Sequence, residues 1–174
     1  IRVLIITGSG EKAFIAGADI KLMQKMNREE ALEFANLGQE LANLIEKSAK
    51  PVIAALNGYA LGGGCEIALS CHLRIASDNA IFAQPEVKIG LLPGWGGTQR
   101  LPRIIGGGLA NEIILTGRNV TAKEALDIGL VNKVVPQEEL MNTCFDIANA
   151  ILKNSPNAIA ESIKLISLAA GMKL

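Results

Sequence analysis

Aromatic residues make up only 3% of this 174-residue chain, and histidine occurs once, as His72. With so few large rings, small aliphatic side chains have to fill the core. A single histidine leaves Ser–His–Asp triads and multi-histidine metal sites little to work with, and no metal site is expected. Cysteine is nearly as scarce: Cys65, Cys71 and Cys144 offer no disulfide framework and no Cys-x-x-Cys pair. Cys65 and Cys71 lie in an apolar stretch and read as buried, reduced thiols, which fits the reducing cytoplasm. No apolar run is long enough to span a bilayer. The formal net charge is +0, which argues against a nucleic acid or membrane surface held by bulk electrostatics. A Gly-x-Ser-x-Gly elbow and a P-loop are both missing. What remains is an ordinary globular composition leaning apolar, 49% hydrophobic and 20% charged, long enough for one domain with its own core.

Along the chain, apolar runs alternate with amphipathic ones. Val3 to Ile6 reads as a buried strand ending at Thr7-Gly8-Ser9-Gly10, and a loop then carries Phe14 to Ile20. A helix opens near Asn27, with Glu29 and Glu30 in its first turn. Phe34, Leu37, Leu41, Leu44 and Ile45 form its apolar face, and Lys50-Pro51 ends it. Strands are expected over Val52–Leu56, Leu73–Ala76, Ile81–Ala83 and Val131–Val135. Helices are expected over Cys65–Ser70, Gln99–Ile104, Leu109–Leu115, Gln137–Leu152 and Asn157–Ala170. Thr121-Ala122-Lys123-Glu124 reads as a capping box. Alternating strands and helices give the α/β class. Residues 1–135 form the expected core and 136–174 the start of a helical region, within one domain. The chain opens on a strand pattern without Met and closes straight after a helical one, so further segments are expected on both sides.

Two glutamates stand out. Glu66 follows Gly62-Gly63-Gly64-Cys65, and Glu86 sits in Ala83-Gln84-Pro85-Glu86, ahead of Pro93-Gly94-Trp95-Gly96-Gly97. A carboxylate among small and apolar residues is costly to bury without a partner. Two of them in one enclosed site can divide acid and base work. Read alone, Glu66 is also consistent with a carboxylate held at a helix N-terminus, and Glu86 with a loop ion pair. The three glycines allow either a tight turn or close approach of free backbone N–H groups to an oxyanion. Gly17-Ala18-Asp19 offers a second N–H at Ala18, or simply a turn with Asp19 capping a helix. Trp95 either lines a pocket or covers a loop. Gly8-Ser9-Gly10-Glu11-Lys12-Ala13 superficially matches a dinucleotide fingerprint, but no sustained helical face follows it.

Together these pieces resemble one family. Pro51 through Glu66, Ala16-Gly17-Ala18-Asp19-Ile20, Gln84-Pro85-Glu86, Pro93 through Pro102 and Thr121 through Val135 are similar, in order and spacing, to the enoyl-CoA hydratase (crotonase) family, nearest its bacterial short-chain branch. The resemblance implies a spiral of repeated ββα units with C-terminal helices, assembled as a homotrimer or a dimer of trimers. It implies an acyl-CoA substrate of fatty-acid β-oxidation, with coenzyme A as part of the substrate and no separate cofactor. It implies Glu66 and Glu86 as catalytic residues holding one water, and the N–H groups of Ala18 and Gly63 as the oxyanion hole. Ala16, Gly17, Asp19, Ile20, Gly62, Gly64, Pro93, Gly94 and Trp95 would line the substrate. Within such a family, retention of both glutamates favours hydration over the isomerase and decarboxylase reactions. A non-catalytic acyl-CoA-binding subunit is the remaining alternative. His72, Ala83 and Trp95 depart from the residues common at their positions.

Overall fold

The computed structural model describes residues 1–169. Two four-stranded sheets share the chain's eight described strands. The first runs β1 (Leu4–Thr7), β3 (Val52–Leu56), β5 (Leu73–Ser77) and β8 (Lys133–Val135), all parallel. The second runs β2 (Ala13–Ile15), β4 (Tyr59–Leu61), β6 (Ile81–Ala83) and β7 (Val120–Thr121), parallel except for the β6–β7 pair. From β1 to β6 successive strands go to alternate sheets, with β7 added to the second and β8 to the first, so the chain winds as a spiral of ββα units, as expected. Helices fill the returns: α1 (Ile20–Met23) and α2 (Arg28–Glu46), α3 (Gly63–Ser70), α4 (Gly97–Ile105), α5 (Gly107–Thr116) and α6 (Ala122–Asp127). Two more, α7 (Leu140–Leu152) and α8 (Pro156–Ala169), follow β8. Ala170, the last residue of the helix expected over 157–170, and the rest of the 136–174 segment beyond it lie outside the described residues.

The central strand β3 is buried along its whole length, as parallel strands covered on both faces are. Its side chains divide with period two. Val52, Ala54 and Leu56 join the larger apolar cluster with Phe82, Leu101 and Leu130, whereas Ile53 and Ala55 face α7 through Leu140, Cys144 and Ala148. Asn57, the residue after β3, latches the first turn of the spiral. Its Oδ1 accepts from Gly8 N–H at 3.0 Å and its Nδ2 donates to Gly10 C=O at 2.7 Å. The Gly8–Ala13 segment leads into strand β2 rather than a helix, so the dinucleotide reading falls.

Several expectations need correction. The strand β2 fell in a segment read as loop, and β4 and β7 in segments for which no strand was expected. The expected strand over 131–135 begins only at Lys133, and α2 ends at Glu46, ahead of Lys50-Pro51. The leucine stripe on α2 is not its buried face: Leu37, Leu41 and Leu44 are 64%, 50% and 73% exposed. Ile45 of the expected face is buried and Phe34 half-buried, and Gly38 and Ala42 are buried beside them; the Trp95 ring lies so close over Gly38 that any side chain there would overlap it. At Thr121 only half a capping box forms. The Thr121 hydroxyl accepts from Glu124 N–H, while the Glu124 carboxylate pairs with Arg118 at 2.7 Å. The reciprocal box lies at Asn27 and Glu30, where both bonds are made.

Candidate active site

Glu66 sits in the first turn of α3 and is 1% exposed. The turn that places it depends on Gly62, whose φ of 53° is a left-handed value open to glycine. Gly62 C=O accepts from Glu66 N–H at 3.0 Å, closing the first helical bond and leaving the N–H groups of Gly63, Gly64 and Cys65 without intrahelical acceptors. Gly64 packs so tightly on β2 that an added Cβ would collide with the Ile15 carbonyl. The start of α3 is thus pressed against the end of β2, and the Ala16–Asp19 loop leaves from that point. Among the described residues the Ala18 N–H has no acceptor. Asp19 caps α1, its Oδ1 accepting from Leu22 N–H at 3.1 Å, which is the turn reading of that residue. Ala16, Asp19 and Ile20 are exposed, and Gly17 and Ala18 half-buried.

The two carboxyls have unequal surroundings. Glu66 Oε1 accepts from Trp95 N–H and from Gly97 N–H, both at 2.7 Å. Burial pushes its pKa up, and those backbone bonds pull it back. Glu86 opens a short 3₁₀ turn, Glu86–Ile89. Its Oε1 lies against Gly62, about 3.1 Å from where a Cβ would be, and its Oε2 is buried with no hydrogen-bond partner among the described residues. Burial, and secondarily the Glu66 charge, push the Glu86 pKa up to about 7. Backbone N–H donors favour the charged form of Glu66, whereas burial favours the neutral form of Glu86.

Trp95 has two functions. Its backbone holds Glu66, while its ring fills a slot between Gly38 of α2 and Gly63 of α3, at 5.6 Å from the Phe34 ring. With Pro93 and Gly94 it lines a cavity of about 520 Å³ between α2 and α4. Neither glutamate lines that cavity, so the Pro93–Trp95 segment faces α2 on one side and Glu66 on the other. Gln84 and Arg100 were given no role from sequence. Gln84 is fully buried with both amide atoms unpartnered, its Oε1 against Gly97; Arg100 is buried behind Trp95. His72 is structural: its Nδ1 accepts from Val52 N–H at 2.9 Å, and burial pulls its pKa down. Among the described residues no three His, Cys, Asp or Glu side chains cluster as metal ligands.

Residues 1–172 match the sequence profile of the family described as enoyl-CoA hydratase/isomerase. This chain belongs to that family. It is 55% identical over 167 residues to the short-chain-enoyl-CoA hydratase of Clostridium acetobutylicum, a match covering 96% of this chain and 64% of the relative. It is also 55% identical over 159 residues to the crotonyl-CoA hydratase of Syntrophomonas wolfei, covering 91% of this chain and 61% of the relative. Like them, the crystal structure of an enoyl-CoA hydratase from Bacillus anthracis is matched along nearly all of this chain. There the TM-score is 0.96 at 44% identity, over 99% of this chain and 67% of that one. The chain therefore spans a little under two thirds of the length of these curated relatives. In this enoyl-CoA hydratase/isomerase fold, the spiral delivers α3, the Ala16–Asp19 loop and the Glu86 turn to one place.

Proposed function

We propose that this chain carries the active site of an enoyl-CoA hydratase, which adds water reversibly across the C2–C3 double bond of a trans-2-enoyl-CoA. The names of its relatives support the substrate class. The observation that carries the reaction type is the inequality of the two carboxyls: Glu66 Oε1 accepts from two backbone N–H groups at 2.7 Å, whereas Glu86 Oε2 is buried with no partner among the described residues. One is suited to be an anionic base and the other a carboxylic acid at neutral pH.

In this reading the Glu66 carboxylate takes a proton from water as its oxygen bonds to C3. Electron density moves from the double bond onto the thioester oxygen, and the N–H groups of Ala18 and Gly63 stabilise the enolate. Removing one such donor from a comparable site costs about 3–4 kcal/mol of transition-state stabilisation. Glu86 then delivers its proton to C2, the enolate collapses to the 3-hydroxyacyl thioester, and the proton on Glu66 returns to Glu86. No atom is left over. Coenzyme A is part of the substrate, and no step is assigned to a metal or a redox group.

Incubation with crotonyl-CoA, followed by loss of enoyl absorbance and product analysis, tests the proposal. The expected product is 3-hydroxybutyryl-CoA; an isomerised or decarboxylated product, or binding without turnover, would replace hydration with one of its alternatives. Glu66→Gln and Glu86→Gln should each lower kcat by about 10²–10⁴-fold.

We further propose a trimeric or dimer-of-trimers assembly, supported by the exposed leucines of α2 and by Leu165, Ile166 and Leu168 of α8. No helix among the described residues is long and apolar enough to cross a membrane. Three free, buried cysteines support a reducing cytoplasmic setting.

A further inference from the structure

Behind the Glu66 site lies a buried cation for which the proposed reaction has no use. Arg100, on α4, is 6% exposed. Its guanidinium spends its donors on three groups from two elements. One Nη donates to Trp95 C=O at 2.9 Å. The other Nη donates to Asn43 Oδ1 at 2.9 Å and to Glu46 Oε2 at 2.8 Å, and Nε reaches the same Glu46 oxygen at 3.1 Å. Asn43 and Glu46 both belong to α2. Arg100 therefore ties the Trp95 carbonyl to a long helix anchored elsewhere in the fold.

The three-residue turn it holds is the one that grips Glu66. Trp95 and Gly97 aim their N–H groups at Glu66 Oε1, and the Trp95 carbonyl is taken by Arg100. Gly96, between them, has a φ of 106°, and a Cβ there would overlap the guanidinium. The turn is thus clamped between an anion that needs its N–H groups and a cation that needs its C=O. We infer that Arg100 is a positioning residue for Glu66, fixing the Trp95–Gly97 turn so that its N–H groups stay on the carboxylate, and adding a positive charge behind them that Glu46 partly neutralises.

The inference rests on the hydratase reading for its catalytic meaning, although the clamp itself is independent of it. The charged or titratable groups facing Glu66 are few. Glu86 approaches from its 3₁₀ turn, Arg100 from α4, and Glu46 from α2 behind Arg100. Cys65 on α3 itself is pushed up to about 12 by burial and stays neutral. The strands packed on α3 bring no charged side chain. Arg100 acts on Glu66 in the direction of a lower pKa, after the backbone bonds from Gly97 and Trp95.

The test is a pair of substitutions with opposite signs. Arg100→Gln removes the charge and loosens the turn. The acid limb of kcat/KM should move to higher pH by up to about one unit, and kcat should fall by about 10²-fold with KM little changed. Glu46→Gln keeps an acceptor for the guanidinium but leaves its charge less neutralised, so the limb should move to lower pH. Limbs that stay put, or that move the same way in both variants, would overturn the inference, since a merely structural role predicts no opposed shift. The titration of the Glu66 carboxyl by ¹³C NMR reads the same shifts without turnover. If Arg100→Gln does not fold, Glu46→Gln decides alone: an unmoved Glu66 titration overturns the inference. A wild-type chain inactive on every enoyl-CoA would sink the hydratase reading but leave the NMR comparison standing.

Discussion

Glu86 has a consequence for stability as well as for proton transfer. Its pKa is near 4.5 in the unfolded chain and is pushed up to about 7 in the fold, chiefly by burial. Across that window the folded state binds more protons than the unfolded one, so this group's contribution to stability falls as pH rises. Burial of Glu66 acts in the same direction. Glu86→Gln should therefore raise the melting temperature more above pH of about 7 than below 4.5, although it removes activity. Thermal melts of both proteins across pH check this; equal gains at both ends would contradict it. At this scale the sequence was informative about which residues are unusual, since glycine frames around carboxylates are visible by eye. It was silent about what holds them. Glu66 is gripped by N–H groups 29 and 31 residues away, and Arg100 by side chains 54 and 57 residues away. Such pairings exist only once the spiral has closed.

Among the elements, strands with a plain apolar run were legible, the three-residue β6 included. The five-residue strands β3 and β5 were plain from their apolar runs, whereas β2, β4 and β7, of three, three and two residues, exist because neighbouring strands supply their ladder. The face of α2 was misread at Leu37, Leu41 and Leu44 because leucine spacing reports where apolar residues lie, not where a neighbour comes closest. There, an indole packed on Gly38 decided the buried side. The same closeness governs α3. Gly64→Ala drives a Cβ into the Ile15 carbonyl, a backbone atom that cannot step aside. The expected result is a loss of stability of about 1–3 kcal/mol from forced overpacking, measured by denaturant unfolding, with lower activity because α3 and the Ala16–Asp19 loop are pushed apart. At the N-terminus of α2, Asn27→Ala removes the acceptor for Glu29 and Glu30 N–H and should cost about 1 kcal/mol. Unchanged unfolding midpoints would contradict either assignment.

On the scale of the whole molecule, alternation of strands and helices gave the α/β class, and the family resemblance carried by five segments implied the spiral. Assembly is a separate matter. The α2 face bearing Leu37, Leu41 and Leu44 and the α8 residues Leu165, Ile166 and Leu168 leave apolar surface in water, more than single scattered leucines explain. Light scattering should return a mass three or six times that of the chain. A monomer at every concentration would contradict the proposed assembly. The central claim is narrower: one cavity in which Ala18 and Gly63 N–H groups face a thioester oxygen while Glu66 and Glu86 flank the reacting carbons. The most direct measurement is a crystal structure with a non-reactive acyl-CoA bound. The account predicts the thioester oxygen about 2.7–3.1 Å from both nitrogens, with both carboxyls on the C2–C3 side. A thioester bound elsewhere, or an oxygen turned to solvent with the glutamates on opposite walls, would contradict it.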